Sequence, residues 1–198
     1  MLDMIRAFLD QIALSFDLPI LDWIQSNMKS DLMDTIMPII TMFGDDGIFW
    51  IACAVLLLFF PKTRKIGIGM GIAMATGLLV CNVTLKPLIA RIRPYDMQAE
   101  LGVTIQLLTE RMHDFSFPSG HTIASFEAAT VLLKNSKKMG IPAMILAVLI
   151  AFSRLYLYVH YPTDVIFSVF AGIAFGFLGN FLAQKINIRP RKRGKYEA

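Results

Sequence analysis

The apolar residues of this chain are gathered into five long blocks, at about 48–60, 66–85, 119–133, 141–159 and 164–183. A helix that crosses a bilayer needs about 20 predominantly apolar residues, with a range near 17–25. The first and third blocks are short by that measure, so their helices must tilt or extend into flanking polar sequence. Within lipid every backbone polar group needs an internal partner, which leaves helices and closed barrels as the only spanning structures. Blocks of helical length therefore predict an all-α integral membrane helical bundle with five transmembrane helices. Composition agrees. The apolar share is 56% and the charged share 17%, against about 45–50% and about 25% in soluble domains.

Net charge of +4 is compatible with a nucleic-acid partner, but the basic residues sit in short loops between apolar blocks. They cluster at Lys62, Arg64 and Lys65, then at Lys134, Lys137 and Lys138, and then in a tail holding Lys185, Arg189, Arg191, Lys192, Arg193 and Lys195. That distribution is the positive-inside signature, so no nucleic-acid partner is expected and the three clusters mark the cytoplasmic face. Alternation of the helices then sends the long polar stretch 86–118 to the outer face. The tail, 186–198, is read as a cytoplasmic anchor able to touch anionic headgroups. Cys53 and Cys81 lie within apolar blocks without metal-ligand spacing and read as packing residues.

Residues 1–47 follow a different pattern. Leu2, Ile5, Leu9, Ile12 and Phe16 repeat at helical spacing, with Asp3, Arg6, Asp10 and Asp17 on the other face. This predicts an amphipathic helix lying on the membrane surface. A second such piece runs from Leu32 to Phe43 and ends at the turn Gly44–Gly47. The opening residues lack the basic-then-apolar order of a secretory signal. Three regions follow: a surface segment at 1–47, a transmembrane domain at 48–185 and the basic tail.

Ionisable groups at membrane depth are costly and therefore read as functional. Here they gather at the outer ends of the helices. Lys86 closes the second block and Arg93 follows in Arg-Pro. Ser119, Gly120 and His121 open the third block, Arg154 and His160 stand at the end of the fourth, and Asp164 opens the fifth. Taken singly, each has a structural reading: Lys86 at a helix C-terminus, Arg154 snorkelling, His160 at the interface. Their convergence at one depth is what argues for a site. Three cations and the free N–H groups of a helix start make a phosphate-binding pocket at the membrane–water interface.

The histidines add chemistry. Asp164 is spaced to hold Nδ1–H of His160, leaving Nε2 to attack phosphorus, while His121 can give a proton to the leaving oxygen. No Asp, Glu or His cluster has two-metal spacing, so the cations are expected to stabilise charge without a metal or other cofactor. Glu127 lies mid-span as a proton relay or, more simply, a bundle-internal hydrogen-bonding residue. His113 and Asp114 read as loop residues near headgroups, Arg91 as facing the entrance or solvent, and Tyr156, Tyr158 and Tyr161 as an interfacial aromatic belt.

These residues form three ordered blocks. Lys86 to Pro94 reads K-P-L-I-A-R-I-R-P, or K-x6-R-P; residues 118–121 read P-S-G-H; residues 153–164 read S-R-L-Y-L-Y-V-H-Y-P-T-D, or S-R-x5-H-x3-D. In this order they resemble the type 2 phosphatidic acid phosphatase superfamily of integral membrane lipid phosphatases, relatives of the vanadium haloperoxidases, over about residues 45–185. The resemblance implies a phosphohistidine on His160, oriented by Asp164, with His121 protonating the leaving group and then activating water. It implies that Lys86, Arg93, Ser119, Gly120 and Arg154 hold phosphate oxygens and that no metal is needed. Family members commonly show six spans, which here would require the N-terminal helix to cross the bilayer. Small bacterial members act on undecaprenyl diphosphate, ranked first here, or on phosphatidylglycerophosphate and phosphatidate. A non-catalytic lipid-phosphate binder or transporter is the alternative from another class. A vanadate-dependent oxidase ranks below it.

Overall fold

The computed structural model describes residues 2–187, and within them the chain is helical with no β-strand. Most of the basic tail lies outside the described residues. Helix α1 (Leu2–Ile12) passes through a π-helical turn, Ala13–Asp17, into α2 (Leu18–Met28). Helix α3 (Asp31–Met42) starts at Ser30, whose Oγ accepts the N–H of Met33, so the first orphan donors are satisfied locally. A sharp turn at Asp45–Gly47, with Asp46 and Gly47 at positive φ, leads into α4 (Ile48–Phe59). Helix α5 (Arg64–Gly77) runs through a π-helical stretch, Leu78–Leu85, into α6 (Lys86–Ile89) and stops at Ala90, which takes a left-handed conformation. A short α7 (Pro94–Glu100) follows, then an irregular stretch, then α8 (Gly120–Asn135), α9 (Lys137–Tyr156) and α10 (Pro162–Lys185).

Each of the five apolar blocks became a helix. Four helical stretches are long and apolar enough to cross a membrane: Asp31–Phe59, Arg64–Glu100, Lys137–Tyr156 and Pro162–Lys185. Helix α8, at 16 residues, falls outside these four stretches and is the most enclosed of the bundle. It packs against α5, α9 and α10, and Ser125, Glu127 and Thr130 are buried in it. A helix surrounded by protein needs no apolar perimeter, which is why its sequence carries more polar residues than its neighbours. The lipid-facing helices invert the pattern of a soluble core. Phe59, Phe170 and Phe181 point outward, and small residues turn inward. Gly172 of α10 meets α8 so closely that a Cβ there would fall 2.8 Å from the carbonyl of Ile123.

The bundle has two distinct ends. At one, Lys65 donates to the carbonyl of Gln184 and Asn135 pairs with Asn180, beside the basic clusters. At the other stand Lys86, Arg93, His121, Arg154, His160 and Asp164. Residues 2–45 pack along this second end: Arg6 bonds the carbonyls of Leu88 and Ile89, Asp22 accepts from Tyr158, Asp34 accepts from Tyr156, and Thr41 contacts Arg154. This corrects the expected aromatic belt. Tyr156, Tyr158 and Tyr161 are buried in a second apolar cluster with Leu18, Leu21, Met37 and Tyr95, because the N-terminal helices and α7 cover them and supply partners for their hydroxyls.

Replacing Gly172 by leucine should lower the unfolding free energy in detergent by about 1–3 kcal/mol, the usual range for overpacking a close contact. Phe170→Leu, on the outward face, should change it by less than about 0.5 kcal/mol. Equal thermal shifts in the two variants would rule out the close α8–α10 contact.

Candidate active site

The site grows out of four chain reversals at one end of the bundle. After α9, the N–H groups of Val159 and His160 both return to the carbonyl of Arg154, at 3.2 and 3.3 Å, with Tyr158 in a left-handed conformation. This turn folds His160 back against the end of its own helix. Helix α10 then begins at Pro162, and Asp164 caps its start by accepting the N–H of Tyr161 at 3.1 Å. A proline at the first helical position and an acid in the first turn are both favourable there. Ser119 starts α8, and its N–H is held by Ser168 Oγ at 2.9 Å, which ties the start of α8 to α10. The fourth reversal, at Gly44–Gly47, lays Gly44 against the ring of His121, where a Cβ would come within 2.7 Å of Cδ2.

The expected residues do converge. Lys86, Arg93, Gly120, His121 and His160 line one cavity of about 1140 Å³. His160 is 1% exposed; its Nε2 lies 3.5 Å from Arg93 Nη1. Its Nδ1 has no hydrogen-bond partner and stands 3.6 Å from Asp164 Oδ2, a contact that must shorten before it becomes a hydrogen bond. Burial, with Arg93, Arg154, Lys86 and His121 nearby, pushes the His160 imidazole well below its ordinary pKa, so it is neutral at pH 7 and has a lone pair to offer. Arg154 stands behind the cavity wall, fully buried. Its hydrogen bonds go to uncharged atoms, Thr41 Oγ1 and Met112 Sδ, and its Nε has no partner. A buried guanidinium in that state favours an anion beside it. Ser119 and Asp164 also lie behind the wall. Among the described residues no group of three or more His, Cys, Asp or Glu is placed to hold a metal ion.

Several acidic, basic and hydroxyl groups enter the site from positions that sequence reasoning placed elsewhere or passed over. Asp114, expected near headgroups, reaches Lys86 Nζ with one carboxylate oxygen and Arg93 Nη2 with the other, at 2.5 Å each. Burial alone would raise its pKa, but Lys86 and Arg93 outweigh that and hold it down to about 2. Asp45, expected only to turn the chain, contacts His121 Nε2 at 2.8 Å. Arg91 does not face solvent. It is buried and bridges Asp17 and Asp164 at 2.7 and 2.5 Å, because the N-terminal helix closes over it. Ser116 donates to Asp164 Oδ2. The one signal that could have flagged Asp114 is its place in the only long polar loop on the site side. Glu127 lines the cavity deeper in, buried and with Oε1 unpartnered.

The fold and this pocket define a helical membrane protein that gathers lysine and arginine side chains and two histidines at one end of its bundle. Residues 66–187 match the family model described as PAP2 superfamily. An undecaprenyl-diphosphatase of Sulfolobus acidocaldarius is 37% identical over 147 residues, covering 74% of this chain and 68% of that protein. The undecaprenyl-diphosphatase BcrC of Bacillus subtilis is 30% identical over 149 residues, covering 75% and 74%. The crystal structure of a transmembrane PAP2 type phosphatidylglycerolphosphate phosphatase from Bacillus subtilis superposes with a TM-score of 0.71 at 26% identity, covering 94% of this chain and 96% of that one. The chain belongs to the PAP2 superfamily. It is a multi-pass membrane hydrolase, a phosphatase acting on lipid phosphates.

Asp114 pairs with Lys86 and Arg93, the cations that line the cavity, so an anion entering there would meet its carboxylate. Asp114→Asn should lower the inhibition constant for inorganic phosphate several-fold. Since Asp114 stays ionised well below neutral pH, its own titration should not alter this gain between about pH 5 and pH 8. An inhibition constant that is unchanged or raised in the variant would show that Asp114 does not compete.

Proposed function

We propose that this protein removes the terminal phosphate of undecaprenyl diphosphate, releasing undecaprenyl phosphate and inorganic phosphate at the outer face of the cell membrane. The observation that carries this reading is the continuity of the cationic pocket with an apolar groove. The same cavity that holds Lys86, Arg93, His121 and His160 is lined further down by Ile51, Val55 and Leu58 of α4 and by Met74 and Gly71 of α5. From Gly47 to Leu58 it follows about 16 Å of helix, more than half the hydrocarbon thickness. A long apolar tail fits such a groove. The named activity of the two similar undecaprenyl-diphosphatases supports the same substrate. Phosphatidylglycerophosphate is the second reading, supported by the likeness to the Bacillus subtilis phosphatase structure.

In the proposed reaction neutral His160 attacks the terminal phosphorus through Nε2. The P–N bond forms as the bond to the bridging oxygen breaks, and His121 gives that oxygen its proton. Asp164 takes the hydrogen bond from Nδ1–H and balances the positive imidazole. Lys86, Arg93, Arg154, Ser119 and the N–H groups opening α8 at Gly120 and His121 hold the oxygens, where charge grows in the transition state. Water then attacks the phosphohistidine with His121 as base, returning neutral His160 and releasing phosphate. No cofactor takes part.

The positive-inside distribution supports a cytoplasmic C-terminus and an outer-face site. The packing of residues 2–45 along the site end supports an N-terminal segment, 1–47, that lies at the interface above a transmembrane domain, 48–185.

Purified protein should release phosphate in the presence of EDTA, fastest from undecaprenyl diphosphate when compared with phosphatidylglycerophosphate and phosphatidate. His160→Ala should reduce release at least about 10³-fold while keeping its thermal transition. Turnover close to wild type in that variant sinks the nucleophile assignment, and a different fastest lipid overturns the substrate. In cells, cysteines introduced between residues 101 and 117, with Cys53 and Cys81 removed, should react with an impermeant thiol reagent from outside; protection there with labelling from the cytoplasm reverses the topology.

A further inference from the structure

The nucleophile's support does not end at Asp164. Asp164 Oδ1 takes Arg91 Nη1 at 2.5 Å, and Arg91 Nη2 takes Asp17 Oδ2 at 2.7 Å. Asp17 lies in the π-helical turn between α1 and α2, well before residues 66–187 matched by the family model. All three side chains are buried, with relative exposures of 1% or less. Asp17 also accepts from the N–H and the hydroxyl of Thr163, at 2.9 and 2.7 Å, which pins the N-terminal helix to the first turn of α10. Arg91 further lies 3.8 Å over the ring of Tyr161. The guanidinium is thus fixed in plane and can reach both carboxylates at once, which a lysine could not do.

We infer that Asp17 and Arg91 are positioning residues for His160, and that the N-terminal helix is thereby part of the working site. This rests on the proposed reading of His160 as nucleophile. The reason is charge as well as geometry. Arg91 alone would neutralise Asp164 and leave nothing to balance the positive imidazole that forms on attack. A second carboxylate shares the guanidinium, so the Asp17–Arg91–Asp164 group sets two carboxylates against one cation and has negative charge to spare. That charge stands beside His160, whose Nδ1 is 3.6 Å from Asp164. The other charged and titratable groups that act on His160 are Arg93, Arg154, Lys86 and His121, with Asp114 on Arg93 and Asp45 on His121. The buried trio is the negative counterweight.

The test is Asp17→Asn in the full-length protein, assayed with whichever of the three lipids the wild type turns over fastest. The amide keeps an acceptor for Thr163 and removes the charge. Expected is a fall in kcat of about ten- to a hundredfold with KM within about twofold. The acid limb of kcat/KM should also move to lower pH, because a neighbour that favours protonated His160 is gone. Asp22→Asn, which loosens the same N-terminal helix at Tyr158, should leave the limb where it is. If Asp17→Asn does not fold, Arg91→Lys serves: it keeps the charge but cannot bridge, and kcat should fall with KM held. Wild-type kcat in the folded variant, or a loss of kcat without movement of the limb in Asp17→Asn, overturns the inference. Activity surviving in His160→Ala would instead remove the reading it rests on, so the two failures are told apart.

Discussion

Concentrating positive charge at the edge of a low-dielectric layer is the constraint that shapes the site end of this protein. Lys86, Arg91, Arg93 and Arg154 are held within a few residues of the helix ends, three of them buried, and each buried cation is costly unless something answers it. Arg91 is answered twice, by Asp17 and Asp164. Lys86 and Arg93 are answered by one carboxylate, Asp114, from a loop. Arg154 is given a hydroxyl and a sulfur. The cations therefore differ in their pairing. Arg91 has two buried carboxylates, Lys86 and Arg93 share one half-exposed carboxylate, and Arg154 has none.

The same constraint explains why the N-terminal helices pack where they do. Several polar groups from residues 2–45 reach the site end, among them Arg6, Asp17, Asp22, Asp34 and Thr41. Their partners are backbone carbonyls, tyrosine hydroxyls and guanidinium groups that would otherwise face the lipid boundary unpaired. A segment that reads as a simple amphipathic surface helix is therefore half of a buried hydrogen-bonded layer. Below that layer the bundle follows membrane rules, with bulky side chains outward, glycines inward, and a short polar α8 enclosed by its neighbours.

Much of the site was legible because its chemistry is carried by residues costly enough to be conspicuous. A histidine, an aspartate or an arginine at the end of an apolar block stands out, and the spacing of Lys86 to Arg93 or His160 to Asp164 places both members at one end of a helix. The partners were not legible. Asp114 sits in an irregular stretch where several polar residues are equally plausible, and Asp45 sits in a turn that glycine alone would justify. Arg91 differs from Arg93 by two positions, and only the turn after Ala90 decides that one faces the cavity and the other the N-terminal helix. The tyrosines were misplaced for a related reason: an aromatic at the interface and an aromatic under a covering helix have the same sequence signature.

The sequence by itself determined the helical class, the blocks that became the bundle, and the end of the bundle at which the histidines and cations of the candidate site meet, because hydrophobic length and the cost of buried charge act locally. Which charges face one another is a matter of contacts between residues up to 146 positions apart, as Asp17 is from Thr163. Those contacts depend on helix rotation, on where π-helical turns shift the register, and on how α1 and α2 pack against α6 and α9 and bring Asp17 to the start of α10. None of these is set by a local pattern, and so the pairing of Asp17, Arg91 and Asp164 became visible only in the tertiary structure.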